Sequence, residues 1–173
     1  MLKLKYNFFA LAIFMAAEII FSGNVLAECK PGEERETNTG AVFTCDDSYP
    51  DLGEAWRDPR GLIWGDVVIV EDTDENPHYM NYAEATDYCI SIGARLPSRA
   101  EFTALRQDMG AQSGTYRGYT AQILPNLSYL YAFWSSSVYP QDPTEAYYFH
   151  GYNGYIGYRA RDFRDEVRCV VGR

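Results

Sequence analysis

This chain contains four cysteines, and they limit the folds that it can adopt. They lie at Cys29, Cys45, Cys89 and Cys169. An even number of cysteines in an exported protein predicts disulfide bonds, and four cysteines allow three different pairings. A metal site is the alternative, but the chain has no Cys-x-x-Cys spacing and only two histidines. Because zinc sites draw on such ligands, we predict two disulfide bonds and no bound metal.

Export is predicted by the beginning of the chain. Lys3 and Lys5 precede an apolar stretch, and Val25-Leu26-Ala27 places small residues where a signal peptidase cleaves. Glu18 interrupts the apolar stretch, so it does not provide the roughly 20 apolar residues of a spanning helix. We therefore predict a signal peptide at residues 1–27, export to the periplasm or the cell exterior, and no stable membrane insertion after cleavage.

Acidic and basic residues are unevenly distributed over the exported part of the chain. Residues 28–90 contain 16 acidic and 4 basic residues, whereas residues 91–173 contain 7 acidic and 9 basic ones, and every base there is arginine. The overall excess of acid argues against binding to nucleic acid or to anionic lipid. The arginines can still bind an anionic ligand, because the guanidinium group presents a planar fork of donors. They can equally pair with the acidic first half, and the sequence leaves both open.

Local signals predict an α+β fold. Residues 28–52 are expected to form a loop or hairpin, and Asp58-Pro-Arg-Gly61 suits a type I turn before a strand from Leu62 to Val70. Two helices follow, at Asn81–Ile92 and Ser98–Met109. Each begins with a capping residue that has a glutamate three positions later, and each has apolar residues at helical spacing.

The second half is predicted to be mainly β-sheet. Gly110 to Leu130 has little periodicity and is expected to be a long surface excursion. Strands are expected at Tyr131–Val138, Glu145–His150, Tyr155–Arg161 and Glu166–Val171. Asn153-Gly154 lies between the second and third of these strands and is a strong hairpin signal.

Four short motifs occur in a fixed order along the chain. They are Trp56-Arg-Asp-Pro-Arg-Gly-Leu-Ile-Trp64, Ala94-Arg-Leu-Pro-Ser-Arg-Ala-Glu101, Phe133-Trp-Ser-Ser-Ser137 and Val167-Arg-Cys-Val170. From Trp56 to Arg173 the chain therefore resembles the C-terminal domain of the Legionella collagen-like adhesin family, a relative of C-type-lectin-like and formylglycine-generating-enzyme-like folds. Arg60 and Ala94 depart from that family's usual threonine and frequent tryptophan.

The resemblance implies a C-type-lectin-like domain at residues 53–173, with two helices packed on a twisted antiparallel sheet and long loops. For the cysteines we choose Cys29–Cys45, which closes a short local loop within residues 28–52, and Cys89–Cys169. The second pair ties the end of a helix to the last strand, as the resemblance also implies. The family occurs in exported adhesins, and binding to sulfated glycans is associated with its founding group. These properties imply binding without catalysis.

No ligand residues carry over from the resemblance, because its motifs are mostly core positions. Trp56, Trp64 and Trp134 are predicted to be buried in the core rather than to form a binding platform.

An aromatic, arginine-rich segment is instead the candidate binding site. Its candidate ligand-binding residues are Tyr152, Asn153, Tyr155, Tyr158, Arg159, Arg161 and Arg164, and they follow Tyr147, Tyr148 and His150. Tyrosine rings stack on sugars, and asparagine and arginine hydrogen-bond to hydroxyl or sulfate groups. The alternative is a structural hairpin whose tyrosines fill the core on one face and pair across strands on the other.

Catalysis and cofactors are not predicted. The chain has no Gly-x-Ser-x-Gly elbow, and paired cysteines leave no thiol for formylglycine-type chemistry. The acidic loop Glu71–Asn76 offers oxygens to calcium but lacks the spacing of a dedicated calcium loop. We predict a secreted, non-enzymatic adhesion module that recognises a glycan, sulfated or not, or a surface protein. The alternative is an envelope assembly protein that acts through protein contacts, and a third hypothesis is a degenerate enzyme with a free thiol.

Overall fold

The computed structural model of the protein describes residues 29–68, 79–110, 124, 132–151 and 153–172. Within them lie two helices and eight strands that form two antiparallel sheets, so the predicted α+β class is confirmed. The strands are β1 (Glu34–Glu36), β2 (Val42–Cys45), β3 (Trp56–Arg57), β4 (Ile63–Val67), β5 (Ala132–Val138), β6 (Glu145–His150), β7 (Ile156–Ala160) and β8 (Arg168–Val171). The helices are α1 (Tyr82–Ser91) and α2 (Arg99–Asp108), and a short 3-10 helix covers Pro50–Leu52.

The five-stranded sheet joins the N-terminal hairpin to the end of the chain, in the order β1-β2-β3-β4-β8. The predicted turn from Asp58 to Gly61 connects β3 to β4, and Gly61 adopts a left-handed φ of 85° there. The buried Asp58 carboxylate accepts hydrogen bonds from the Leu62 main-chain N–H at 3.0 Å and from the Trp64 indole N–H at 3.2 Å. These bonds hold the turn against the start of β4.

The second sheet has three strands in the order β5-β6-β7. The predicted β6–β7 hairpin is confirmed, and the Asn153 side chain accepts a hydrogen bond from the Tyr155 N–H at 2.9 Å in its turn. The prediction of one twisted sheet is wrong for the described part of the chain. The segment before β8 meets β5 through a bridge from Phe133 to Glu166, and β8 itself then pairs with β4. The strands therefore divide between two sheets.

Both helices begin at the residues that the capping pattern predicts. Asn81 and Ser98 each accept a hydrogen bond from the main-chain N–H three residues later. The glutamates at those positions, Glu84 and Glu101, accept one in return from the N–H of the capping residue. Gly93 follows α1 with a φ of 72°, a left-handed conformation that ends a helix. The predicted helices are therefore confirmed.

We expect Ser98→Ala to lower the free energy of unfolding by about 1 kcal/mol, since it removes the side chain that caps α2. The Ser98 hydroxyl accepts a hydrogen bond from the Glu101 N–H at 3.2 Å, and the Glu101 carboxylate accepts one from the Ser98 N–H at 2.6 Å. Ser91→Ala is the matched control, because that hydroxyl donates to the Tyr88 carbonyl at the exposed end of α1. Urea unfolding measures both variants, and equal midpoints would argue against a capping role.

Two buried clusters lie on opposite sides of the five-stranded sheet. The first contains Trp56, Trp64 and Phe102 of α2, and the second contains Cys89 of α1 and Trp134. The division arises because adjacent residues of a strand point to opposite faces. All three tryptophans are fully buried, so the prediction that they belong to the core is confirmed.

Both predicted disulfide bonds, Cys29–Cys45 and Cys89–Cys169, are present. The first ties the N-terminal segment to the end of β2. The second joins the last turn of α1 to β8 inside the second buried cluster. All four cysteines of the chain are paired, so no free cysteine is left for the hypothesis of a reactive thiol.

Several predicted segments lie outside the described residues. They are the signal peptide at residues 1–27, the end of the first predicted strand at 69–70, the acidic loop Glu71–Asn76 and most of the excursion Gly110–Leu130. Leu124 is described within that excursion and is buried in the first cluster. Among the described residues, none of the helices has the length and apolar character needed to cross a membrane.

Candidate functional site

The β6–β7 hairpin has two faces with different surroundings. Tyr147 and Tyr158 are cross-strand partners and lie on one face, where Phe149 connects the hairpin to α2. Tyr148 and Arg159 lie on the other face, since side chains alternate along a strand. The predicted site residues are therefore divided between two surfaces.

Three tyrosines form a cluster on the α2 side. The rings of Tyr139 and Tyr158 are stacked, with 3.7 Å between their centroids and 8° between their planes. Tyr147 meets both rings edge-on, at 5.7 Å and 6.2 Å. Its contacts fix the position of the stacked pair, while Tyr158 keeps 47% of its surface exposed. The hydrogen bond to Tyr158 raises the pKa of the Tyr139 hydroxyl, which stays protonated near neutral pH.

Arg99 adds a positive charge to this cluster. It is the first residue of α2, where its N–H donates to the Ser137 hydroxyl at 3.0 Å. Its guanidinium carbon lies 4.6 Å from the centre of the Tyr147 ring. The side chain is exposed, and it has no carboxylate partner in the described part of the chain. We name Tyr139, Tyr147, Tyr158 and Arg99 the Tyr–Arg surface.

The three predicted arginines have intramolecular partners. Arg159 pairs with Asp165 at 3.0 Å, and its guanidinium lies 3.8 Å from the centre of the Tyr148 ring. Arg161 lies 4.2 Å from the centre of the Tyr82 ring. Arg164 hydrogen-bonds to both carboxylate oxygens of Glu84, at 3.0 and 3.1 Å. A ligand would have to compete with these contacts for all three side chains.

The remaining predicted residues do not join the Tyr–Arg surface, with the exception of Tyr158. Asn153 caps the hairpin turn. Tyr155 is 48% exposed, but it lies against Tyr148 on the opposite face, with 6.2 Å between their ring centroids. Gly157 makes room there, because a Cβ at that position would lie 2.6 Å from the Tyr148 ring. Tyr152 lies outside the described residues.

Sequence reasoning did not identify Tyr139 and Arg99 as site residues. Tyr139 comes directly after the predicted strand Tyr131–Val138, and Arg99 lies at the start of a predicted helix. The pairing of β5 with β6 brings Tyr139 to Tyr147, and α2 brings Arg99 to the same ring. The capping box at Ser98 was the available signal, because it placed Arg99 in the exposed first turn of a helix.

A surface cavity of about 250 Å³ lies beside the Cys29–Cys45 disulfide. Asp46, Asp47 and Glu54 contribute to its lining. In the described ranges no three His, Cys, Asp or Glu side chains are placed to hold a metal ion, so this acidic cavity does not have the geometry of a cation site.

Of the two histidines, His150 lies in β6 and His78 is outside the described residues. Burial, and then the charge of Arg159, lower the pKa of His150. The imidazole is therefore neutral near neutral pH and adds no positive charge to the hairpin.

Comparison with known proteins does not assign this chain to a family. The likeness to the adhesin domain therefore depends on the four motifs alone. The chain matches no family model, and no curated protein is significantly similar to it.

Proposed function

We propose that this protein is an exported, non-enzymatic binding module that recognises a glycan carrying an anionic group such as sulfate. The observation that carries this proposal is the Tyr–Arg surface, where the exposed ring of Tyr158 and the half-buried rings of Tyr139 and Tyr147 lie beside an arginine that has no carboxylate partner in the described residues. The resemblance of the four motifs to an adhesin domain supports the same class of function.

The tyrosines would supply the contact with the sugar ring. An aromatic ring offers a flat apolar face to the C–H groups of a sugar, and the tyrosine hydroxyl adds a polar edge. Tyr158 has the most open of these rings, with 47% of its surface exposed. Because Tyr139 and Tyr147 already hold that ring in place, little side-chain entropy is lost when a ligand binds.

Arg99 would supply the contact with the anionic group. Guanidinium binds sulfate or carboxylate through paired, charge-assisted hydrogen bonds. The arginines that already pair with carboxylates, such as Arg164 with Glu84, would first have to give up those bonds. The charge of Arg99 is not neutralised in this way, so it is the favoured anchor.

The proposal is tested first by a glycan array on the disulfide-bonded protein, with calcium and with a chelator, at low and moderate salt. Binding to sulfated glycans that survives the chelator and weakens with salt is the expected result, because a single exposed charge contact is screened by ions. A silent array would exclude glycan recognition and leave a surface protein as the partner, since tyrosine-rich surfaces also serve protein recognition.

Tyr158→Ala is expected to weaken glycan affinity about tenfold, which corresponds to one aromatic contact of about 1.4 kcal/mol. Tyr155→Ala is the matched control, because it removes a tyrosine of nearly equal exposure from the other face of the same hairpin. Calorimetric titration with the best glycan of the array measures both variants. Equal losses in the two variants would exclude the Tyr–Arg surface as the site.

A second pair of variants tests the charge. Arg99→Gln is expected to remove most of the salt dependence, whereas Arg164→Gln, which loses a side chain paired with Glu84, is expected to leave it unchanged. If Arg164→Gln has the larger effect, the anionic group binds on the other face of the hairpin.

A further inference from the structure

Each sheet ends in an edge strand that has no neighbour in the described part of the chain. These strands are β7 in the three-stranded sheet and β1 in the five-stranded sheet. An open edge presents a row of main-chain N–H and C=O groups with which another strand can pair. The five residues of β7 include no lysine or proline, the residues that commonly protect an edge.

The hydrogen bonds around β7 show which of its residues face outward. Tyr155 and Arg161, which flank the strand, both bond across to the β6 side, at 2.8 and 2.9 Å. The odd-numbered residues therefore face β6, and Ile156 and Tyr158 direct their N–H and C=O groups away from the sheet. The side chains of these two residues lie on the face toward α2, with Tyr147 and Phe149 opposite them.

The edge of β1 has the same pattern, with acidic residues. Glu33 and Thr37 flank this strand and bond across to the β2 side, each at 2.8 Å. Glu34 and Glu36 therefore direct their main-chain N–H and C=O groups away from the sheet. Both carboxylate side chains are exposed.

Two arginines of α2 lie on the face of the three-stranded sheet that also carries the side chains of Ile156 and Tyr158. Arg99 lies over Tyr147, the cross-strand partner of Tyr158, and Arg106 donates to the Gly154 carbonyl at 3.3 Å near the hairpin turn. Seven helical positions separate them, about 10 Å along the helix axis. Among the described residues neither has a carboxylate partner. The α2 face of the three-stranded sheet thus carries two positive charges that no carboxylate neutralises in the described residues.

We propose that the β7 edge binds the β1 edge of a second copy of this chain by antiparallel strand addition. In such a ladder the outward-facing residues of the two strands oppose one another, and opposing side chains lie on the same face. Glu34 and Glu36 of the second copy therefore lie on the α2 side, the face that carries Arg99 and Arg106. The alternation of the strands thus places the two glutamates on the face that carries the two arginines.

Charges on the other face of the new ladder do not disfavour this pairing. Arg35 of the second copy would lie near Arg159, but each already has an acidic partner. Arg35 bonds to Glu33 at 3.2 Å, and Arg159 bonds to Asp165 at 3.0 Å. The two edges are different surfaces, so association is head to tail, and each added copy presents a new open edge. This inference does not depend on glycan binding.

Sedimentation velocity of the exported, disulfide-bonded protein is the first test. At low salt the mass is expected to rise with concentration beyond that of a dimer, and at high salt to return toward that of the monomer, because exposed charge pairs are screened. A protein that is monomeric at low salt over the whole concentration range would overturn the proposal.

Two charge-reversed variants identify the edges. Glu34→Lys/Glu36→Lys alters β1, and Arg99→Glu/Arg106→Glu reverses the charge on the α2 face of the three-stranded sheet. Each variant alone is expected to associate at least about tenfold more weakly than the wild type, because like charges then face each other. In an equimolar mixture each edge of one variant meets an oppositely charged edge of the other, so the mixture is expected to regain head-to-tail association. Circular dichroism confirms that both variants are folded.

The variant that carries all four substitutions exchanges the charges of the two edges and is expected to regain head-to-tail association. If Glu34→Lys/Glu36→Lys assembles as the wild type does, β1 is not the partner of β7. If the folded variants remain monomeric when mixed, the proposed edge pairing is wrong.

Discussion

The double variant Cys89→Ala/Cys169→Ala is expected to lose about 4.5 kcal/mol of unfolding free energy, the chain-entropy value for a loop closed by residues 80 positions apart. This loss is a large share of the roughly 5–15 kcal/mol that keeps a domain folded. Both cysteines are almost fully buried in the cluster that contains Trp134, so the variant also loses packing between α1 and β8.

The matched control is Cys29→Ala/Cys45→Ala. Its loop spans 16 positions, which gives an expected loss of about 3 kcal/mol. Urea unfolding of the two double variants and the wild type measures both losses. A larger loss for the short-loop variant would contradict the loop-entropy argument and show that the N-terminal hairpin carries more of the stability than its edge position suggests.

Features that depend on neighbouring residues could be predicted from the sequence. The capping residues Asn81 and Ser98 reach a partner three positions away, so the pattern that predicts each helix contains the whole interaction. The Asn153-Gly154 turn is equally local. The disulfide pairs needed the resemblance as well, because chain separation alone left three pairings open.

Contacts between distant segments could not be predicted in this way. Arg99 and Tyr147 lie 48 positions apart, and neither segment contains a sign that α2 begins against β6. Arg164 and Glu84 lie 80 positions apart, so the sequence shows both charges without showing that they pair. The candidate site therefore included arginines with internal partners and omitted Arg99. The division into two sheets escaped prediction for the same reason, since it depends on which strand β8 joins.

The proposed glycan site and the proposed head-to-tail association would affect each other, because the carboxylates of an added β1 strand would lie on the face that carries Arg99, the anchor for the anionic group. A surface of three tyrosines and one arginine is small, so its affinity for a single glycan is expected to be low. Copies joined head to tail would raise the overall binding strength, because they raise the effective concentration of glycan sites without any new contact. Because the added strand would lie beside Tyr158, glycan binding should change the affinity of association, and association should change the affinity for the glycan by the same factor.

Lowering the pH from about 8 to about 5 is expected to stabilise the folded protein by roughly 3 kcal/mol. The cause is the pair of buried carboxyl groups, Asp165 and Glu166, where the chain passes between the two sheets. Burial raises the pKa of Asp165 to about 6 and that of Glu166 to about 7, against the opposing charges of Arg159 and Arg168 respectively. Burial lowers the pKa of Arg168 to about 10, so this residue stays charged throughout that range.

The direction follows from proton binding. A carboxyl group whose pKa is higher in the folded protein keeps its proton where the unfolded chain has lost it, so folding takes up protons in that range. The resulting stability is complete below the ordinary carboxyl pKa of about 4 and is lost as the pH rises through the folded values. Asp46 and Glu101 act in the opposite sense, because hydrogen bonds and arginine partners lower their pKa against the effect of burial. Stability should therefore be highest at mildly acidic pH, where Asp165 and Glu166 are protonated in the folded protein and Asp46 and Glu101 are still ionised.

Glu166→Gln tests the source of this dependence. The amide has the shape of the protonated acid and no charge, so the variant is expected to be more stable than the wild type near neutral pH and to vary less with pH. Glu34→Gln, which removes an exposed carboxylate, is the control. Thermal unfolding across the range measures all three proteins, and a Glu166→Gln variant that keeps the full pH dependence would assign that dependence to other groups.

The main chain of Glu166 bonds to Ala132 and Trp134 of β5, at 3.0 and 3.2 Å, so loss of the carboxyl proton of Glu166 acts where the two sheets meet. Hydrogen exchange of the β5 amides should therefore rise with pH by more than the intrinsic exchange rate, and the glutamine variant should remove that excess.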